Sequence, residues 1–163
     1  MIVTFQSAIP KEDYTLEITM TNNNQLVVNM KPHLDTVQFC PLKDTAVWRN
    51  IEVKDTSLCW RGSSKVELSV DTLLALFQTG EETGQDSCVQ EAAAKKDWKL
   101  SLQLNNGNHI HMDVEQLLEY SMFAPLLRRG LWKTMRGQQH SLLWEDQSIR
   151  LELPVKSILD YFA

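Results

Sequence analysis

Two stretches, Leu16-Glu-Ile-Thr-Met-Thr-Asn-Asn-Asn and Leu100-Ser-Leu-Gln-Leu-Asn-Asn-Gly-Asn, carry the same pattern 84 residues apart. In each, apolar side chains alternate with polar ones, and the run ends in Asn and Gly. Alternation at period two places every second side chain on one face of a strand. Asn and Gly tolerate the positive φ of a tight hairpin turn. Alternation then resumes at Leu26, Val28 and Met30, and at Ile110, Met112 and Val114. Each stretch therefore predicts a hairpin with one buried face.

The correspondence extends outward from the hairpins. At the same offset Leu34 meets Leu118, Phe39 meets Phe123, and Pro41-Leu42 meets Pro125-Leu126. Trp48 meets Trp132, Ser57-Leu58 meets Ser141-Leu142, and Trp60 meets Trp144. One inserted residue moves the offset to 85, and Glu67-Leu68, Val70, Leu74 and Phe77 then meet Glu152-Leu153, Val155, Leu159 and Phe162. A repeated pattern at fixed spacing signals a repeated structural unit. The expectation is a tandem duplication, with a first α+β repeat in residues 1–79, an acidic linker over 80–96, and a second α+β repeat in 97–163. Within each unit the pattern predicts a hairpin, a compact segment with short helical turns around Pro-Leu and the first Trp, strands near 51–53, 57–60 and 65–68, and a closing helix. Ser69 or Asp71 would cap that helix in the first repeat. The linker's second half, Val89 to Lys96, is rich in helix formers and is expected to carry a short helix. A unit of this size buries only a small core. The two are expected to pack on each other with pseudo-twofold symmetry, or to pair with another chain.

Composition narrows the class. The chain has 163 residues, 43% hydrophobic and 23% charged, with a formal charge of −5. That is ordinary for a folded globular protein, and a general nucleic-acid binder would more often be basic. The longest apolar run, Leu73–Phe77, is too short to span a bilayer. No basic, apolar leader is visible at Met1, so no signal peptide is expected. Three cysteines, Cys40, Cys59 and Cys88, lack metal-type spacing and fit a reduced, cytoplasmic setting.

The order of features resembles the bacterial domain of unknown function 2442 family. The resemblance is carried by Asn22–Asn24, Pro41-Leu42-Lys43-Asp44, Trp48, Trp60, Glu67-Leu68 and Leu73, and in the second half by Asn106-Gly107, Pro125-Leu126, Trp132, Trp144, Glu152-Leu153 and Ile158. It covers about four fifths of the chain. The family favours an acid shortly after Pro-Leu. Asp44 meets that pattern, whereas the second half has Arg128. The resemblance implies a small bacterial α+β module without established catalysis, often encoded beside another small protein in pairs for which a toxin–antitoxin role has been proposed.

Candidate chemistry is sparse. His109-Ile-His-Met-Asp113 would place His109, His111 and Asp113 on one face of a strand, a plausible metal fan. The first half has Gln25, Val27 and Asn29 there, so the expectation is an ordinary solvent face with no metal. The basic cluster Arg128, Arg129, Lys133 and Arg136, taken at helical spacing, puts Arg129 and Lys133 on one face, able to meet phosphate or an acidic surface. Four cations on a chain of charge −5 contact too few phosphates for general DNA affinity. The paired tryptophans are expected in the core, as are Cys40 and Cys59 as small buried hydrophobes. No phosphate loop, nucleophile elbow or HExxH motif is present. The expected function is therefore that of a non-enzymatic, cofactor-free protein–protein interaction module, an antitoxin-like or regulatory partner that binds another protein or itself. The alternative is nucleic-acid or anion binding through the basic cluster.

Overall fold

A computed structural model describes residues 2–62, 65–78, 87–128 and 130–162, with the backbone alone of residue 78. Twelve strands and three short helices are described. The first half contains β1 (Phe5–Pro10), β2 (Thr15–Met20), β3 (Gln25–Asn29), α1 (Thr45–Arg49), β4 (Ile51–Val53), β5 (Ser57–Trp60), β6 (Val66–Ser69) and α2 (Val70–Gln78). The second contains β7 (Val89–Ala94), β8 (Lys99–Leu104), β9 (His109–Asp113), β10 (Arg136–Gly137), β11 (Ser141–Glu145), β12 (Arg150–Pro154) and α3 (Val155–Leu159). The fold class is α+β, mostly antiparallel sheet with few helices, as the alternation and local hairpins predict.

The predicted hairpins form the centre of the molecule. β2–β3 and β8–β9 close through turns in which Asn23 (φ 68°) and Gly107 (φ 88°) take the positive φ that their residue types favour. The hairpins join along β3 and β9, where Gln25, Leu26 and Val27 pair with His111, Ile110 and His109. The result is one six-stranded antiparallel sheet in the order β1-β2-β3-β9-β8-β7. Two three-stranded sheets, β4-β5-β6 and β10-β11-β12, complete the strands. One face of the large sheet carries Leu16, Ile18, Met20, Leu26, Val28, Leu100, Leu102, Leu104, Ile110 and Met112 into a single core shared with Trp48, Trp60, Trp132 and Trp144.

Buried asparagines stitch the seam. Asn24 Nδ2 donates to the Phe162 carbonyl (3.0 Å), and Asn24 Oδ1 accepts from the Asp113 N–H (2.9 Å). Asn108 Nδ2 donates to the Phe77 carbonyl (3.1 Å), and Asn108 Oδ1 accepts from the Asn29 N–H (2.7 Å). Each half thus uses an amide side chain from its own turn to satisfy backbone groups at the seam. The two Asn–Phe bonds, at 84- and 85-residue offsets, link each turn to a closing helix: Asn24 reaches the end of the second half, and Asn108 the end of the first.

Three elements depart from the sequence-based expectation. Val89–Ala94, expected as part of a helix, is the edge strand β7, paired with β8 from Val89↔Leu104 to Ala94↔Leu100. Local propensity is a weak prior, and a helix this short is marginal, whereas the exposed edge of β8 offers backbone partners along its length. β1 was not predicted at all. It occupies the opposite edge by the same means, pairing Phe5 with Met20 and Pro10 with Leu16. Cys40 is exposed rather than buried, while Cys59 is buried as expected. The helix α2 is capped by Ser69, whose Oγ accepts from the Thr72 N–H (3.2 Å). The expected acidic stretch of the linker, residues 80–86, lies outside the described residues.

Candidate functional site

The outer face of the large sheet holds the histidines. His109 and His111 alternate with the buried Ile110 and Met112, so the pleat turns both rings outward. Their ring centroids lie 5.5 Å apart at 80°. They stand as a ridge between two depressions of about 600 and 240 Å³. The larger reaches toward Ser101, Gln103 and Ala93, and the smaller toward Thr19, Gln25 and Val27. Asp113 does not complete a ligand fan. Its Oδ2 accepts from Lys99 Nζ at 2.7 Å and its Oδ1 from the Glu115 N–H at 3.0 Å. Among the described residues no group of three or more His, Cys, Asp or Glu side chains is arranged to hold a metal ion.

His111 is only part-exposed, and burial is the main cause that holds its pKa below the ordinary imidazole value of 6.5, with His109 and Lys95 adding repulsion. A histidine whose folded pKa is depressed takes its proton first in the unfolded chain, so stability is present above the ordinary value and falls as pH drops below it. We therefore expect unfolding midpoints to decline from about pH 7 to 5.5 with a component that His111→Gln removes. Urea titrations at several pH values check this. Equal declines in both proteins would assign the loss to other groups.

The basic cluster is not one helical face. The segment runs from a 3-10 turn at Ala124–Leu127, through Gly130 (φ 83°), to a second turn at Trp132–Thr134 and then β10. A glycine at positive φ between two short turns prevents the continuous helix that the i, i+4 reading requires. Arg136 lies on β10 and pairs with Glu145 at 3.1 Å. Arg129 lies outside the described residues. Arg128 donates to Ser148 Oγ at 2.7 Å. Only Arg128 and Lys133 come together, on the rim of a pocket of about 840 Å³.

That pocket also contains residues the sequence reading missed. Lys95, Lys96, Asp97 and Trp98, in the β7–β8 connection, form one wall, and Trp132 and Leu127 complete an apolar floor. Trp132 Nε1 donates to the Lys95 carbonyl (2.9 Å), which fixes the connection above the indole. Trp98 leans on Trp132 with ring centroids 5.2 Å apart. The offset that pairs Trp48 with Trp132 also pairs Lys11 with Lys95 and Asp13 with Asp97, so the signal was there to extend.

The tryptophan pairs themselves pack in the core, as expected. Trp48 stacks on Trp60 at 6.0 Å and Trp132 on Trp144 at 6.1 Å. Among the described residues no helix is long and apolar enough to cross a membrane. No family model, curated protein or solved structure matches the chain.

Proposed function

We propose that the protein is a non-catalytic protein–protein interaction module built from two copies of one α+β unit, a tandem duplication similar to the domain of unknown function 2442 family. The duplication reading draws its support from the matched register and the paired Asn24–Phe162 and Asn108–Phe77 bonds, which fit packing about a pseudo-twofold axis at the β3–β9 seam. The functional reading rests on one observation: a six-stranded sheet uses one face for the core and leaves the other open. That open face presents uncharged polar and apolar side chains at its centre, among them Thr19, Gln25, Val27, Ser101 and Gln103 beside the two histidines, with Glu17 and Glu91 at its flanks. Such a surface, without a charged centre to desolvate, suits contact with another folded protein. By the resemblance, that partner is a small protein encoded alongside, with an antitoxin-like or regulatory relation, in the cytoplasm of a bacterium.

The test is a comparison of captures. Tagged wild-type protein and a Val27→Glu/His109→Glu variant are each exposed to lysate of the native cells under identical conditions. A partner retained by the wild type and lost from the variant supports this reading, provided both proteins melt at similar temperatures. Identical captures would remove the outer face as the docking surface.

A further inference from the structure

The pocket between the β7–β8 connection and the Trp132 turn is electrostatically different from its counterpart 84 residues earlier. At the 84-residue offset Lys95 matches Lys11 and Lys133 matches Arg49, whereas Arg128 stands where the first half has Asp44 and Leu127 where it has Lys43. Lys11, Lys43 and Arg49 are all paired. Lys11 meets Glu17 at 3.6 Å, Lys43 meets Asp35 at 2.6 Å, and Arg49 meets Glu12 at 3.7 Å. In the second half Lys95 and Lys133, and Arg128 in the place of Asp44, have no carboxylate within ion-pair distance among the described residues, and Lys96 stands in the place of the acid Glu12. Arg128 is held by Ser148 instead, with a lesser influence on Asp146. Two acids, Asp97 and Glu115, also line the pocket, and both act on Lys99, which is not part of its wall.

The floor is aromatic where the rim is cationic. Trp132 is almost fully buried, Trp98 is half-buried, and Leu127 is 60% exposed. Asp97 and Trp98 both take positive φ (59° and 60°), whereas of the equivalent pair only Tyr14 (φ 63°) does. Consecutive non-glycine residues in this region are uncommon. In the first half Tyr14 leans on Trp48 with ring centroids 5.1 Å apart, and its hydroxyl donates to the Lys43 carbonyl at 2.9 Å, tying the loop to the facing turn. Trp98 makes no such tie, so the second-half cleft stays open.

We propose that this pocket binds a small aromatic phosphate of nucleotide size. A cavity of about 840 Å³ lies within the range of small-ligand sites. The half-buried Trp98 supplies a stacking surface for a planar ring, backed by Trp132, whose own ring packs against Trp98 and Trp144. Lys95, Lys96, Arg128 and Lys133 supply charge-assisted donors to a phosphate. The four cations, with Arg128 already bonded to Ser148, gather around one cleft, an arrangement that suits a compact polyanion. The site adjoins the outer face of the sheet through Lys95, which acts on His111, but its ligand chemistry does not rest on the interaction reading.

The experiment is calorimetric titration of the full chain with adenosine diphosphate, at about 150 mM salt to suppress loose electrostatic attraction. Pyrophosphate and adenosine serve as the ring-free and phosphate-free controls. One saturable site is expected, with each control at least about tenfold weaker. Lys96→Ala/Lys133→Ala, both at exposed positions, is expected to weaken binding by about tenfold without altering the melting temperature, whereas Lys11→Ala leaves it unchanged. Pyrophosphate binding as tightly as the nucleotide would overturn the proposal, since the aromatic floor would have no part in it. Undiminished binding by the double variant, an absence of saturable binding, or tighter binding of a single-stranded oligonucleotide would each do the same.

Discussion

Asn24→Ala is expected to cost about 2–4 kcal/mol of folding stability, because the amide it removes is buried and serves both halves. Asn24 is 2% exposed. Without its Oδ1 the Asp113 N–H loses its acceptor at the edge of the core, and an unsatisfied backbone donor costs about 1–3 kcal/mol. The bond to the Phe162 carbonyl adds less, since Asn22 Nδ2 also donates there at 3.0 Å. Asn108→Ala is expected to behave alike, because it orphans the Asn29 N–H while Asn106 still serves Phe77. Urea unfolding of each variant measures the effect. A loss below about 0.5 kcal/mol, typical of a plain surface site, would mean that water replaces the amide and that the seam does not depend on it.

Trp60→Ala should be costlier still, about 3–5 kcal/mol, as large-to-small changes in a packed core generally are. The informative comparison is with phenylalanine at the two equivalent positions. Trp60 Nε1 donates to the Trp48 carbonyl at 3.0 Å, a carbonyl that α1 aims at it. Among the described residues Trp144 Nε1 is buried without a partner, because the second half replaces α1 with a glycine-broken pair of turns and the Trp132 carbonyl does not meet it. Trp60→Phe therefore loses a bond, leaving an acceptor stranded, whereas Trp144→Phe removes a donor that already had nothing. We expect the first to cost about 1–2 kcal/mol more than the second. Thermal or denaturant unfolding of the two single variants decides it, and equal costs would contradict the asymmetry.

Much of this architecture was legible because its signals are local. Leu16–Met20 and Leu100–Leu104 alternate cleanly, and the Asn and Gly residues after them demand a turn, so the hairpins need no tertiary information. The tryptophans were placed in the core by their recurrence among apolar neighbours. The edge strands were not legible. Val-Gln-Glu-Ala-Ala-Ala has helix-forming composition, and only the free edge of β8 makes it extended. The same blind spot hides the pocket beside Trp132: composition places Lys95 and Lys96 in a linker, apart from the unit whose wall they form. Arg128, Arg129, Lys133 and Arg136 looked like one cluster because a helix was assumed beneath them. Gly130 at φ 83° removes that helix, and Glu145 draws Arg136 away. The role of Asn24 and Asn108 was visible only as turn chemistry, since nothing local says that their amides reach across the sheet.

The strand order has a further consequence for connectivity. Phe77 lies at the Asn106–Asn108 turn, and Val89 pairs with Leu104 beside that same turn. Phe162 lies at the Asn22–Asn24 turn, and Phe5 pairs with Met20 beside it. The approach of Phe77 and Val89 to one turn is therefore matched by the approach of Phe162 and Phe5 to the other. A peptide joining Phe162 to Phe5, of the length that joins Phe77 to Val89, would require no strand to change neighbours.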